Sequence, residues 1–314
     1  MSHIYEALQR AEAERKAGLA GVATDPIAER APEHPSLVSS LAAQRSQHDG
    51  PIPVEVAEEK TAAMPPEFFD RILRRPWNPS LERLPALERG GMPVEQFRSL
   101  RSRVQELRDL KPLKSVLVSS GLPKEGKSFI SVNLAINLAR HKSSKVLLID
   151  ADMRCSALHQ YLGAELQPGL PEYLSGKATM LEVMQTPQEA VGRDPMVSSV
   201  LENITLIPGG EGNDMAADLT ASKRFEELLT AAGPFFDWIV IDSPPVLLVS
   251  DAVNLARHSD AVLLVARSGV TTFPVAQRAQ HELKAANVIG FVLNAAEKPP
   301  MSGNYYYRYQ KTAV

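Results

Sequence analysis

Three groups of residues in this chain have the types and spacing to do phosphate chemistry. The first is Gly121-Leu122-Pro123-Lys124-Glu125-Gly126-Lys127-Ser128, the G-x-x-x-x-G-K-S pattern of a phosphate-binding loop. A loop that wraps a triphosphate turns successive backbone N–H groups inward, where bulky side chains would block the approach. Gly126 supplies the permissive backbone. Lys127 brings a point charge to the β- and γ-phosphates, and the Ser128 hydroxyl is a hard oxygen ligand for Mg²⁺. The second group is Asp150-Ala151-Asp152-Met153-Arg154. Side chains alternate along an extended chain, so Asp150 and Asp152 face the same way. Either both are solvated at a turn, or a cation relieves their repulsion. The loop's Mg²⁺ is the candidate. The third is Asp242, which ends the apolar run Trp238-Ile239-Val240-Ile241, where a carboxylate can hold Mg²⁺ directly or through water.

These groups need rigid elements to hold them. The run Ser115 to Ser120 before the loop reads as a strand. Ile130, Leu134 and Leu138 after it recur at helical spacing. Lys145 to Asp150 and Asp237 to Asp242 are apolar runs ending in acid, as strands buried on both faces do in a parallel sheet. Further strands are expected at 204–208, stopped by Gly209-Gly210, and at 260–265 and 288–293, with helices over 94–107, 222–231, 250–257 and 273–286. Residues 156–200 read as small helices and loops. The fold class is α/β: a P-loop NTPase with a mostly parallel sheet, helices on both faces, and the site at the strands' C-terminal ends. Nucleotide contacts are expected from Gly121, Lys124, Glu125, Gly126, Lys127, Ser128 and Phe129. Asn294, just past the last strand, either hydrogen-bonds the adenine or simply forms a turn.

Composition sets the limits. A hydrophobic content of 44% supports a sizeable core. A net charge of −3, with no Lys/Arg block, gives no reason to expect nucleic acid. The single cysteine, Cys155, excludes an internal disulfide and fits a reducing cytoplasm. No apolar run is long enough to span a membrane. Residues 1–17 read as a charged helix, either solvated or a docking helix for a partner. Residues 18–80, poor in apolar periodicity and rich in Ala, Glu, Pro and Ser, read as a flexible linker with a short helix near 67–73. The folded domain is placed at 81–298 and a mobile tail at 299–314.

Two features remain. Glu95, Arg98 and Arg101 fall at i, i+3, i+6 on the 94–107 helix. They are either a local ion pair or an interface. The tail carries Tyr305, Tyr306, Tyr307 and Tyr309, either a sticky aromatic end or phosphoacceptors beside a nucleotide site.

Taken together, residues 93–309 resemble the bacterial tyrosine kinases of capsule and exopolysaccharide synthesis, with a MinD/ParA-like fold. The loop Gly121–Ser128, the Asp-x-Asp-x-Arg of 150–154, the Ile239–Asp242 run followed by Ser-Pro-Pro, the Glu95-x-x-Arg98-x-x-Arg101 triplet and the tyrosine tail carry the resemblance. It implies ATP and Mg²⁺ as cofactors, with phosphoryl transfer to a tail tyrosine of a neighbouring subunit. Lys127 cradles the phosphates, Ser128 and Asp242 hold Mg²⁺, Asp152 supports the metal, and Asp150 is the base for the phenol proton. The triplet then joins subunits into a homo-oligomeric ring. A separate transmembrane activator holds the protein at the inner face of the plasma membrane, and a tyrosine phosphatase reverses the modification. Three positions depart from the family pattern: Phe129 replaces a small hydroxyl residue, and Cys155-Ser156 replaces Arg-Pro. The alternatives are a MinD/ParA-like ATPase switch, which would carry a lysine where Leu122 stands, and a non-catalytic ATP-binding regulator.

Overall fold

In a computed structural model of the chain, the described residues are 67–140, 144–188, 194–211 and 215–296. The charged segment at 1–17, the linker up to residue 66 and the tail tyrosines lie outside them.

Eight strands form one sheet: β1 (Leu73–Arg75), β2 (Ser115–Ser120), β3 (Val146–Asp150), β4 (Gln185–Pro187), β5 (Ile204–Ile207), β6 (Trp238–Asp242), β7 (Ala261–Arg267) and β8 (Val288–Asn294). Their order is β1-β4-β5-β3-β6-β2-β7-β8. The six from β5 to β8 are mutually parallel, whereas β4 meets β5 antiparallel and β1 runs with β4. Every residue of β2, β3 and β6 is buried. Alternate side chains feed opposite cores. Val116, Val118, Val146 and Leu148 pack on the face of the P-loop helix (Lys127–Ala139). Leu117, Leu147 and Ile149 pack on the other, with Phe225 and Leu255. That is why these strands read as continuous apolar runs rather than alternating ones.

The expected boundary at residue 81 is corrected by the packing. Residues 67–80 belong to the fold, not to a linker. Phe68, Ile72 and Trp77 are buried, and the Trp77 indole N–H donates to Gln185 Oε1 at 3.2 Å. Residues 81–87 form two 3₁₀ turns that lay Leu84, Ala86 and Leu87 against the P-loop helix's core. Asn133 accepts from Ala86 N at 3.0 Å. A fully buried apolar side chain of this size contributes about 1.5–3 kcal/mol, so Trp77, Leu84 and Leu87 make the stretch integral. The following helix, Met92–Leu110, buries Val94, Phe97 and Val104, the last two in the same core.

Candidate active site

The P-loop follows from its neighbours. β2 ends at Ser120, and Gly126 turns with φ +98° into the helix that begins at Lys127. A Cβ on Gly126 would lie 2.0 Å from Asn294 Nδ2, so the position requires glycine for space as well as for backbone freedom.

β3 and β6 are neighbours in register, with Asp150 opposite Asp242. Both carboxylates are fully buried. Asp150 Oδ2 accepts from the Ser156 hydroxyl at 2.8 Å, Ala157 N at 2.9 Å and Leu158 N at 3.0 Å. Asp242 Oδ1 accepts from the Ser131 hydroxyl at 3.0 Å. The other oxygen of each, Asp150 Oδ1 and Asp242 Oδ2, is buried without a hydrogen-bond partner. Burial pushes Asp150 up to about 7, and the Asp242 charge pushes it the same way. Burial also raises Asp242, against the pull of Lys127.

Lys127 is the cation facing these acids. Its Nζ donates to Asp152 Oδ2 at 2.8 Å and reaches the Ser128 hydroxyl at 3.5 Å. Burial alone would lower its pKa, but Asp242 and Asp152 override that and hold it at about 12. Asp152 Oδ1 accepts from Cys155 N at 3.1 Å. Arg154 pairs with the buried Asp251 at 2.9 Å.

Among the described residues, no group of three or more His, Cys, Asp or Glu side chains is placed to hold a metal. The donors are instead the unpartnered Asp242 Oδ2 and the Ser128 hydroxyl near it, both hard oxygens. Such a set fits Mg²⁺, which keeps waters and takes much of its shell from substrate phosphates. The unpartnered buried oxygen of Asp242, costly as it stands, is what a cation there would satisfy.

Against this geometry, an AAA domain family model matches residues 124–275. The tyrosine-protein kinase YwqD of Bacillus subtilis is 31% identical over 215 residues, which cover 68% of this chain and 85% of YwqD. The chain belongs to the bacterial tyrosine-protein kinases. The kinase domain of the Escherichia coli tyrosine kinase ETK is also similar, with a TM-score of 0.61 and 28% identity over 70% of this chain and 82% of that domain. Tyrosine-protein kinase ptk of Acinetobacter johnsonii is 30% identical over 65% of this chain, but the chain spans 26% of ptk's length. Among the described residues of this tyrosine-kinase family member, no helix is long and apolar enough to cross a membrane.

The structure gathers Lys127, Ser128, Asp150, Asp152 and Asp242 at one end of the sheet. Other expected contacts sit differently. Phe129 is packed edge-to-face on Phe97, with ring centroids 5.8 Å apart, so its ring joins the P-loop helix to the Met92–Leu110 helix. The Glu125 side chain is buried and accepts from Leu122 N at 2.8 Å within the loop. Glu95 and Arg98 form a local ion pair, while Arg101 donates to the Asn137 carbonyl at 3.3 Å.

Sequence reasoning missed two supports of Asp150 in this chain. One is Ser156, noted only as a departure from the family pattern, whose hydroxyl fixes the carboxylate. The other is Gly209, where a Cβ would lie 2.8 Å from Ser156 Oγ and 3.1 Å from Asp150 Cγ. The Gly209-Gly210 pair after β5 was the available signal, and it reads as a simple strand stop.

Proposed function

We propose that this chain is an ATP-dependent protein-tyrosine autokinase that phosphorylates Tyr305, Tyr306, Tyr307 or Tyr309 on a neighbouring copy, in the control of exopolysaccharide or capsule polymerisation and export. The observation that carries this reading is the pair of partnerless oxygens on Asp150 and Asp242 beside the P-loop lysine. A phenol with pKa near ~10 is neutral at pH 7, so its attack on the γ-phosphorus needs a carboxylate to take its proton. Asp150 is that base, since a group titrating near the working pH is best matched to proton transfer. Lys127 offsets charge on the transferred phosphoryl group. Ser128, Asp152 and Asp242 hold Mg²⁺, which when bound neutralises phosphate charge. Gly121, Lys124, Glu125, Gly126 and Phe129 complete the nucleotide site through the loop and the start of its helix. The partners are a separate transmembrane activator, which holds the chain at the inner membrane face from the cytoplasmic side, and a tyrosine phosphatase.

The test is to incubate the full chain with γ-labelled ATP, with and without the cytoplasmic part of its membrane partner, and to map phosphotyrosine. The expected label falls on the tail tyrosines. Free phosphate with an unlabelled tail would instead make the chain an ATPase switch of the MinD/ParA type. Binding without turnover would make it a regulator.

We propose further that Glu95, Arg98 and Arg101 lie in the interface of a homo-oligomeric ring. Both arginines are only partly buried within one chain, and each adds to the lowering of the Arg140 pKa, after burial. This crowding of cations is relieved by an acidic partner surface. The double substitution Arg98→Ala with Arg101→Ala is expected to reduce the mass in solution to that of a monomer. An unchanged mass would leave the triplet as a surface ion pair.

A further inference from the structure

Asn294 closes β8, and Arg267, its partner in register, lies at the end of β7. Both side chains turn to the P-loop. Asn294 Nδ2 donates to the Glu125 carbonyl at 3.0 Å. Its Oδ1 accepts from Ala295 N at 2.8 Å, which fixes which end of the amide faces the loop. The Arg267 guanidinium donates to the Lys124 carbonyl at 3.2 Å. The Thr271 hydroxyl donates to the buried Glu125 carboxylate and accepts from Arg267 N. Thus the carbonyls of Lys124 and Glu125 are both held from outside by residues of the β7–β8 edge.

This arrangement has a consequence for anion binding. A loop that binds phosphate through backbone N–H groups needs its carbonyls turned away from the anion. Lys124 achieves this only by adopting φ +64°, a conformation rare in residues with a Cβ. Left alone, such a loop drifts toward ordinary backbone angles. We propose that Asn294 is a positioning residue of the P-loop: its amide braces the loop in its anion-binding shape, with Thr271 as the second brace, and it does not read the adenine. This rests on the ATP-binding reading above and replaces the adenine contact expected for Asn294.

The experiment compares the full-length wild type with Asn294→Ala and Thr271→Val. Binding of Mg·ATP is measured by calorimetry, and that of Mg·tripolyphosphate, which has no base, by competition against labelled ATP. Each substitution is expected to weaken both ligands by the same factor, about five- to tenfold for one hydrogen bond lost, with the unfolding temperature of the ligand-free chain unchanged. A loss confined to ATP would overturn the proposal and assign Asn294 to the base. Unchanged affinity for both ligands, or a lowered unfolding temperature with unchanged affinity, would make the contact merely structural. Failure of the wild type to bind either ligand would overturn the ATP reading itself, a result distinct from these.

Discussion

Replacing Lys127 with methionine is expected to lower phosphoryl transfer to the tail tyrosines by about 10²–10³-fold, the usual cost of deleting one preorganised charge stabiliser. The ammonium lies 2.8 Å from Asp152 and its side chain is 12% exposed, so solvent cannot replace it. With its pKa held at about 12, it stays charged at every working pH. Methionine keeps the unbranched stem but leaves Asp152 and Asp242 without their cation. Removing one partner of a buried ion pair costs about 3–5 kcal/mol, so thermal unfolding must be followed alongside transfer. Lys127→Arg separates the two effects. It retains the charge that steadies the acids, but its broad fork does not reproduce an ammonium's contacts. Near-normal unfolding with lost phosphotyrosine signal is the expected result for arginine. Full labelling in the methionine variant would refute the assigned role.

Asp150→Asn is expected to move two observables in opposite directions. Transfer falls by about 10²–10⁴-fold, the range for loss of a general base, while the nucleotide-free protein becomes more stable above neutral pH. The sign follows from the titration. Burial raises Asp150 from 3.8 to about 7 in the folded chain. A carboxyl with a higher pKa folded than unfolded takes up a proton on folding. Its burden on stability is absent below about 3.8, grows as pH rises toward 7, and is complete above it. The wild-type unfolding temperature without nucleotide should therefore drop between about pH 4 and 7. Asparagine carries no charge. Its carbonyl oxygen can keep the Ser156, Ala157 and Leu158 bonds, and its amide can donate toward Asp242. The variant's unfolding temperature should vary less with pH. An identical slope in both proteins would remove the titration argument, and retained transfer would remove the base.

The site was legible from the sequence where chemistry restricts residue type. A phosphate loop demands glycine, lysine and a hydroxyl at fixed spacing. A strand buried on both faces and ending in acid leaves little choice but Val146–Asp150 and Trp238–Asp242. The edge pair β1 and β4 was not legible. Leu73-Arg74-Arg75 and Gln185-Thr186-Pro187 are three residues each, too short for any periodicity. They are defined by pairing across more than a hundred positions of sequence, with the Trp77–Gln185 bond beside them. Local propensity carries no trace of such a contact. Asn294 was expected just past the last strand, at the adenine or in a turn; it closes β8, and its partner is a backbone carbonyl that only the folded loop brings within reach.

The order of the strands bears on how the molecule divides its labour. β1 and β8 are the two edges of the sheet. The described chain begins with Phe68 and Phe69 packed on Phe235 and Phe236, just before β6, then forms β1, and it ends just after β8. Seven strand spacings of about 4.8 Å put these edges roughly 33 Å apart. Asn294, whose amide reaches the P-loop, therefore lies on the far flank of the sheet from β1.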